Sequence, residues 1–222
     1  MEEASAGDRG VLLRLMGTVE AIRLPGPGEG EGAAPLVPTR QKGLEAVAYL
    51  ALRGTAVEQS ELAVALFRTD GAASARSLRD AVASARALVG ERLLPRHGTG
   101  RYELSPRVMT DYGVFCDRVA RAGRAEDAAT ATTLLGEALR LVRGEPLTGV
   151  GHTYAWAGGQ RTAITDRVVA AATVLAEGRL AVGDRRYAEW AAHRGLAASP
   201  DHDLLHRLLA GATAADDDRQ PT

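Results

Sequence analysis

Lysine and cysteine each occur once in the 222 residues, at Lys42 and Cys116, and aromatic residues make up only 4% of the chain. A single cysteine excludes an internal disulfide framework and suits a reducing compartment. No run approaches the roughly 20 apolar residues that a membrane-spanning helix needs. The acidic opening Met1–Gly10 also lacks the basic and apolar parts of a signal peptide. A cytoplasmic protein with no membrane partner is therefore expected. The near-absence of lysine beside plentiful arginine reads first as a coding bias. The formal net charge of -1 gives no global basic signature, so a nucleic-acid site has to be sought in the placement of charges.

What is present is a change of pattern midway along the chain. Val11–Met16 and Val19–Leu24 are short runs rich in Val, Leu and Ile, interrupted by Gly17 and Thr18, and they read as a hairpin or two adjacent strands. Pro25–Pro35 is Gly, Pro, Glu and Ala, a composition for a loop, after which Leu36 and Val37 resume the sheet. Thr39 is a candidate N-cap for a helix to about Arg53, ended by Gly54, and Ser60 for a second through Phe67, before an Asp70-Gly71 turn. A third helix starts near Ser74. At 100° per residue Val82, Ala85 and Val89 lie within about 40° of Leu78, while Arg76, Asp80, Ala83 and Ala87 point the other way. Leu93-Leu94, then Pro95–Gly100, then Arg101–Leu104 read as strand, glycine turn and strand.

From Asp111 the periodicity is helical throughout. Tyr112, Phe115 and Val119 mark one helix, and Leu134, Leu135, Ala138, Leu141 and Val142 the next. A break spans Gly144–Gly151. Helices over Ala155–Ala181, Arg185–Ala198 and Asp201–Ala215 follow, separated by Gly183-Asp184 and Ser199-Pro200. Short turns between them suggest antiparallel pairs in a helical array. The expected organisation is a disordered 1–10, an α+β domain over 11–108, an all-α domain over 109–215 and a disordered tail 216–222.

Three helices followed by a glycine-tipped hairpin is the order of a winged helix, in which one helix enters the major groove and the hairpin lies on the backbone. Between Arg76 and Arg107 there are seven arginines against three acids, a local excess of four positive charges in a chain of net charge -1. Arg76, Ser77, Arg79 and Arg86 on the third helix, with Arg96 and Arg101 flanking His97-Gly98-Thr99-Gly100, are the candidate DNA contacts. Charge alone does not separate such a surface from a solvated helix face and hairpin rim.

The segments Pro38-Thr39-Arg40 to Leu52, Ser60-Glu61-Leu62 to Leu66-Phe67, Ala73–Leu78 and Gly100-Arg101-Tyr102-Glu103-Leu104 resemble the OmpR-type winged helix of SARP (AfsR-like) activators. Leu66-Phe67 stands where that family usually has Leu-Trp. Thr110-Asp111 through Leu141–Leu147 to Pro200 resembles the bacterial transcriptional activator domain (BTAD) that follows it, a TPR-like helical module. Tyr154-Ala155-Trp156 also resembles a segment of multidomain proteins that carry this pair of domains beside LysM modules. The resemblance implies a transcriptional regulator that binds double-stranded DNA, forms a homodimer and contacts RNA polymerase. It departs from the family in the end of the third helix, Val82–Leu88, where only Arg86 is charged. That departure keeps open a rival reading, a protein-interaction module whose winged helix has lost or weakened DNA binding.

Enzyme chemistry is not expected, for want of a nucleophile with a base, a metal set or a phosphate loop, and no cofactor is implied. His202 and His206 have the spacing of two metal ligands, but no third is apparent. Gly26–Gly32 interleaves glutamates that would repel phosphate. Cys116 is placed on a buried face as a structural thiol. Trp156 and Trp190 read first as core and second as interface anchors.

Overall fold

The computed structural model describes residues 10–26, 32–68, 72–96, 100–150 and 155–214, with side chains 72–74 and 155 left aside. The chain forms two compact units. The first takes Met1–Leu15, Val19–Asp111 and Leu147–Gly159, and the second Met16–Thr18, Tyr112–Pro146 and Gln160–Thr222.

In the first unit, β1 (Val11–Arg14) and β2 (Glu20–Arg23) pair antiparallel, the hairpin of the two expected readings, with Leu13 opposite Ala21. β3 (Ala34–Leu36) pairs with β2, but Val37 lies outside it and is 84% exposed. α1 (Gln41–Arg53) ends where expected, because Gly54 takes the left-handed conformation (φ 64) and its N–H reaches Leu50 O. Thr39 is not its cap. Arg40 holds that position, and Thr39 Oγ1 bonds Ser84 Oγ at 2.9 Å. β4 (Val57–Glu58) leads into α2 (Gln59–Phe67), so Ser60 is inside the helix, not before it. α3 (Ala72–Val89) begins two residues ahead of Ser74 and ends at Gly90.

The strand expected at Leu93-Leu94 is a turn: both N–H groups return to Gly90 O, at 3.1 and 3.2 Å. Their side chains are buried, which explains the apolar signal without a strand. β5 (Arg101–Tyr102) pairs instead with β4, Val57 opposite Tyr102, and Gln59 N–H to Gly100 O extends the ladder at 2.8 Å. β6 (Val108–Thr110) lies parallel to β1 and completes a sheet of order β3-β2-β1-β6.

Three residues of α1 fix it within this unit. A Cβ on Gly43 would stand 2.5 Å from Ser84 Oγ and 2.9 Å from Ala85 N, so only glycine lets α1 lie this close to α3. Lys42 Nζ bonds Glu45 Oε2 at 2.6 Å and Leu66 O at 3.2 Å, and it lies 5.6 Å from the Phe67 ring, which ties α1 to the end of α2. Tyr49 donates to Glu61 at 2.7 Å and meets the Trp156 ring edge-on at 5.2 Å. Burial first, then Glu61, pushes this phenol up to about 12, so it remains a donor at neutral pH. The buried Asp111 carboxylate accepts from Leu15 N–H at 2.7 Å beyond the end of β1.

The second unit is built from α4 (Asp111–Ala122) from Tyr112 onward, α5 (Ala128–Leu139), α6 (Ala155–Ala181) from Gln160 onward, α7 (Arg185–Ala198) and α8 (Asp203–Thr213). α5 stops before Leu141 and Val142, and α8 is shorter than expected. α6 runs without interruption through Gly158-Gly159, with the division between the units at Gly159. Asp127, Asp184 and His202 cap α5, α7 and α8 by accepting from the N–H three residues on. Phe115, Leu139, Ile164, Val168 and Leu205 are fully buried. Gly195 is the close-packing point, since a Cβ there would meet Leu205 at 2.5 Å and Ala172 at 2.7 Å.

Candidate nucleic-acid interface

α3 has the two sides its periodicity requires. Leu78, Ala81, Val82, Ala85, Leu88 and Val89 are buried, while Arg76, Ser77, Arg79, Asp80, Ala83 and Ala87 are exposed. The rise of about 1.5 Å per residue spreads the outer side from Arg76 to Ala87 over about 16 Å, with the cations at the N-terminal end and methyl groups beyond. The Thr39–Ser84 bond and the Gly43 contact hold the helix from behind, so the outer side is carried on a fixed support.

The six candidate residues fall into distinct environments. Arg76 and Arg79 make no hydrogen bond or ion pair among the described residues, and Ser77 lies exposed between them. Arg96 Nη2 pairs with Glu91 at 2.8 Å, and Arg101 Nε with Glu58 at 2.5 Å. All four of these side chains are at least half exposed, and pairs of this kind are worth about 0–1 kcal/mol, so a phosphate can displace the carboxylates.

Arg86 is different. It is half-buried, Nε donates to Leu94 O at 2.9 Å and Nη2 to Pro95 O at 3.3 Å. The guanidinium thus holds the turn after α3 against the helix, a role that spacing along the helix could not reveal. Arg79, Arg86, Arg96 and Tyr102 line a cleft of about 420 Å³ beside this turn. His97, Gly98 and Thr99, the expected tip, lie outside the described residues.

Of the acids that temper the surface, Glu58 has no local sequence signal. Glu58 becomes a neighbour of Arg101 only through the β4–β5 pairing, across 43 positions. Asp80, on the same side of α3 as Arg76, is drawn to Arg40 at 3.5 Å.

Other candidates resolve more simply. His202 Nδ1 caps α8 and His206 Nε2 lies 2.7 Å from Pro200 O, and no group of three potential metal ligands occurs among the described residues. Cys116 is half-buried rather than enclosed, with Arg167 Nη1 3.3 Å from its sulfur. Trp190 stacks on Tyr187 at 5.2 Å and lies within 6.0 Å of the guanidinium carbons of Arg140 and Arg194, and Trp156 packs on Tyr49. No described helix is long and apolar enough to cross a membrane.

Residues 110–220 match the family described as Bacterial transcriptional activator domain. No curated protein sequence matches the chain. Among solved structures, EmbR of Mycobacterium tuberculosis, determined in complex with a low-affinity phosphopeptide, has the same fold. The TM-score is 0.70 at 21% identity, and the match covers 95% of this chain and 56% of that one. The present chain thus spans little more than half the length of that structure.

Proposed function

Because the chain belongs to the bacterial transcriptional activator domain family, as its SARP-type resemblance implied, we propose that it regulates transcription by binding double-stranded DNA through a winged helix in its first unit. In this reading α3 enters the major groove. Arg76 and Arg79 contact phosphate or guanine, with Ser77 beside them, and Arg96 and Arg101 exchange Glu91 and Glu58 for phosphates. Arg86 acts by setting the angle of the turn that carries Arg96. The exposed Ala83 and Ala87 let the helix approach the groove floor closely and offer methyl contacts to thymine. The helical second unit supplies the homodimer and the contact with RNA polymerase, and the protein works in the cytoplasm without cofactor or catalysis.

The observation that carries this reading is the pair of exposed cations, Arg76 and Arg79, which have no partner among the described residues and stand on a helix face backed by a close contact. The test is a titration of genomic fragments at two salt concentrations, comparing the protein with Arg76→Ala/Arg79→Ala. Salt-sensitive binding that weakens in the double variant supports the proposal; no binding of either protein at low salt sinks it. A partner retained from nuclease-treated lysate by a chain that does not bind DNA would favour the interaction module instead.

A further inference from the structure

The second unit contains a groove that the proposed DNA reading leaves unused. It is formed by α4, α5 and α6, encloses about 660 Å³, and is walled by Val119, Leu135, Ala171 and Val174 over a floor of Phe115. Phe115 has no exposed surface, whereas Val174 is 60% exposed, so the groove runs from the core to solvent. Small side chains, among them Ala120, Ala131 and Ala170, keep it open.

Among the residues lining it, Arg167 alone carries charge. Its Nη1 reaches Tyr112 Oη at 2.9 Å and Cys116 Sγ at 3.3 Å, and the guanidinium carbon lies 5.8 Å from the Tyr112 ring. A phenol and a thiol orient the guanidinium, but no carboxylate neutralises it among the described residues. The Nε and Nη2 edge has no partner among the described residues, and that edge is the fork which grips a carboxylate through two parallel hydrogen bonds.

We propose that this groove is a binding site for a small amphipathic anion, a carboxylate with an aliphatic body. The carboxylate takes the open edge of Arg167, and the chain lies along Val119, Leu135 and Val174. The absence of acids from the lining among the described residues selects an anion over a cation. A volume within the roughly 300–1,000 Å³ of small-molecule sites, apolar walls and a single polar anchor select a small ligand over a protein segment. Burial of the exposed Val174 and of the apolar chain drives association, and the ion pair sets its direction.

Cys116 supplies the readout, being the only cysteine and lining the groove. The rate of its modification by a disulfide reagent is measured on the full chain with and without decanoate, kept below its micellar concentration. The same is done with decanol, which has the same carbon chain and no charge. Decanoate is expected to slow the reaction about tenfold and decanol about twofold or less, the difference reflecting the bidentate contact. Using the ratio with and without ligand within each protein cancels any change that a substitution makes to the thiol itself.

Arg167→Gln is expected to abolish the preference for decanoate. Ala170→Trp, at an exposed position, is expected to block protection by either compound with an unchanged helical spectrum. Equal protection by decanoate and decanol, equal protection in Arg167→Gln, or none in the native chain overturns the proposal. So does an Ala170→Trp protein that turns from dimer to monomer in light scattering, which would assign the groove to a second copy.

Discussion

Two arginines on α3 of the first unit and a set of arginines in the second are used in opposite ways. In the first unit Arg76 and Arg79 project from α3 with nothing to hold them among the described residues. In the second, Arg140 and Arg194 lie over the Trp190 ring, Arg161 Nε donates to Pro146 O at 3.0 Å, and Arg179 Nη2 to Thr132 Oγ1 at 3.3 Å. A guanidinium is equally able to stack, to satisfy carbonyls or to bind phosphate, so arginine number says little about nucleic acid. What distinguishes a candidate surface is cationic groups that the fold leaves without work to do.

The sharpest way to break this contrast is to remove one pair from each unit. Arg76→Ala/Arg79→Ala is expected to cost about 3 kcal/mol of DNA affinity at low salt, and to reduce the slope of log K against log salt by about 1.8. Arg140→Ala/Arg194→Ala should leave both unchanged. Equal losses in the two double variants, measured by fluorescence anisotropy, would show that general charge and not the α3 face carries binding.

Gly43→Ala tests whether that face depends on its backing. A methyl there must displace Ser84 or the Ala85 backbone, and an unfolding free energy lower by about 2 kcal/mol is expected in denaturant titration. Arg86→Met separates support from contact. Loss of its bonds to Leu94 and Pro95 should lower stability by about 1.5 kcal/mol while leaving the salt slope intact. A slope reduced by about 0.9 would instead return Arg86 to the contact surface.

In the second unit, Arg140→Ala/Arg194→Ala should lower the thermal stability by about 1 kcal/mol through the loss of its ring contacts. The smallest effect is expected from Glu58→Gln. Releasing Arg101 from an exposed pair should raise DNA affinity by about twofold, a few tenths of a kcal/mol.

Long periodic segments were legible in the sequence because their pattern repeats. α6 and α7 have the expected bounds, and the β1–β2 hairpin and the buried side of α3 follow from apolar spacing alone. β4 and β6, of two and three residues, are too short to have a period, and their partners are far away in sequence. Leu93 and Leu94 show the converse: burial without strand geometry, since a turn can also direct apolar side chains inward. The candidate site was legible as residue types on a helix face. It was not legible as partners, because Glu58 meets Arg101 through a strand pairing and Arg86 reaches carbonyls that carry no side-chain signature. Likewise the return of 147–159 to the first unit has no local marker.

Lys42 is the only side-chain amine in the chain, and it is drawn against Glu45, Leu66 and the Phe67 ring. Acylating reagents and acetyltransferases therefore have a single side-chain target, which is already occupied as a brace between two helices. Neutralising it would leave the 7%-exposed Glu45 short of a counter-charge, so acetylation here would act on folding of the first unit and not on its surface charge. A switch that lightens the charge of this surface has to work through guanidinium groups, or by adding negative charge elsewhere.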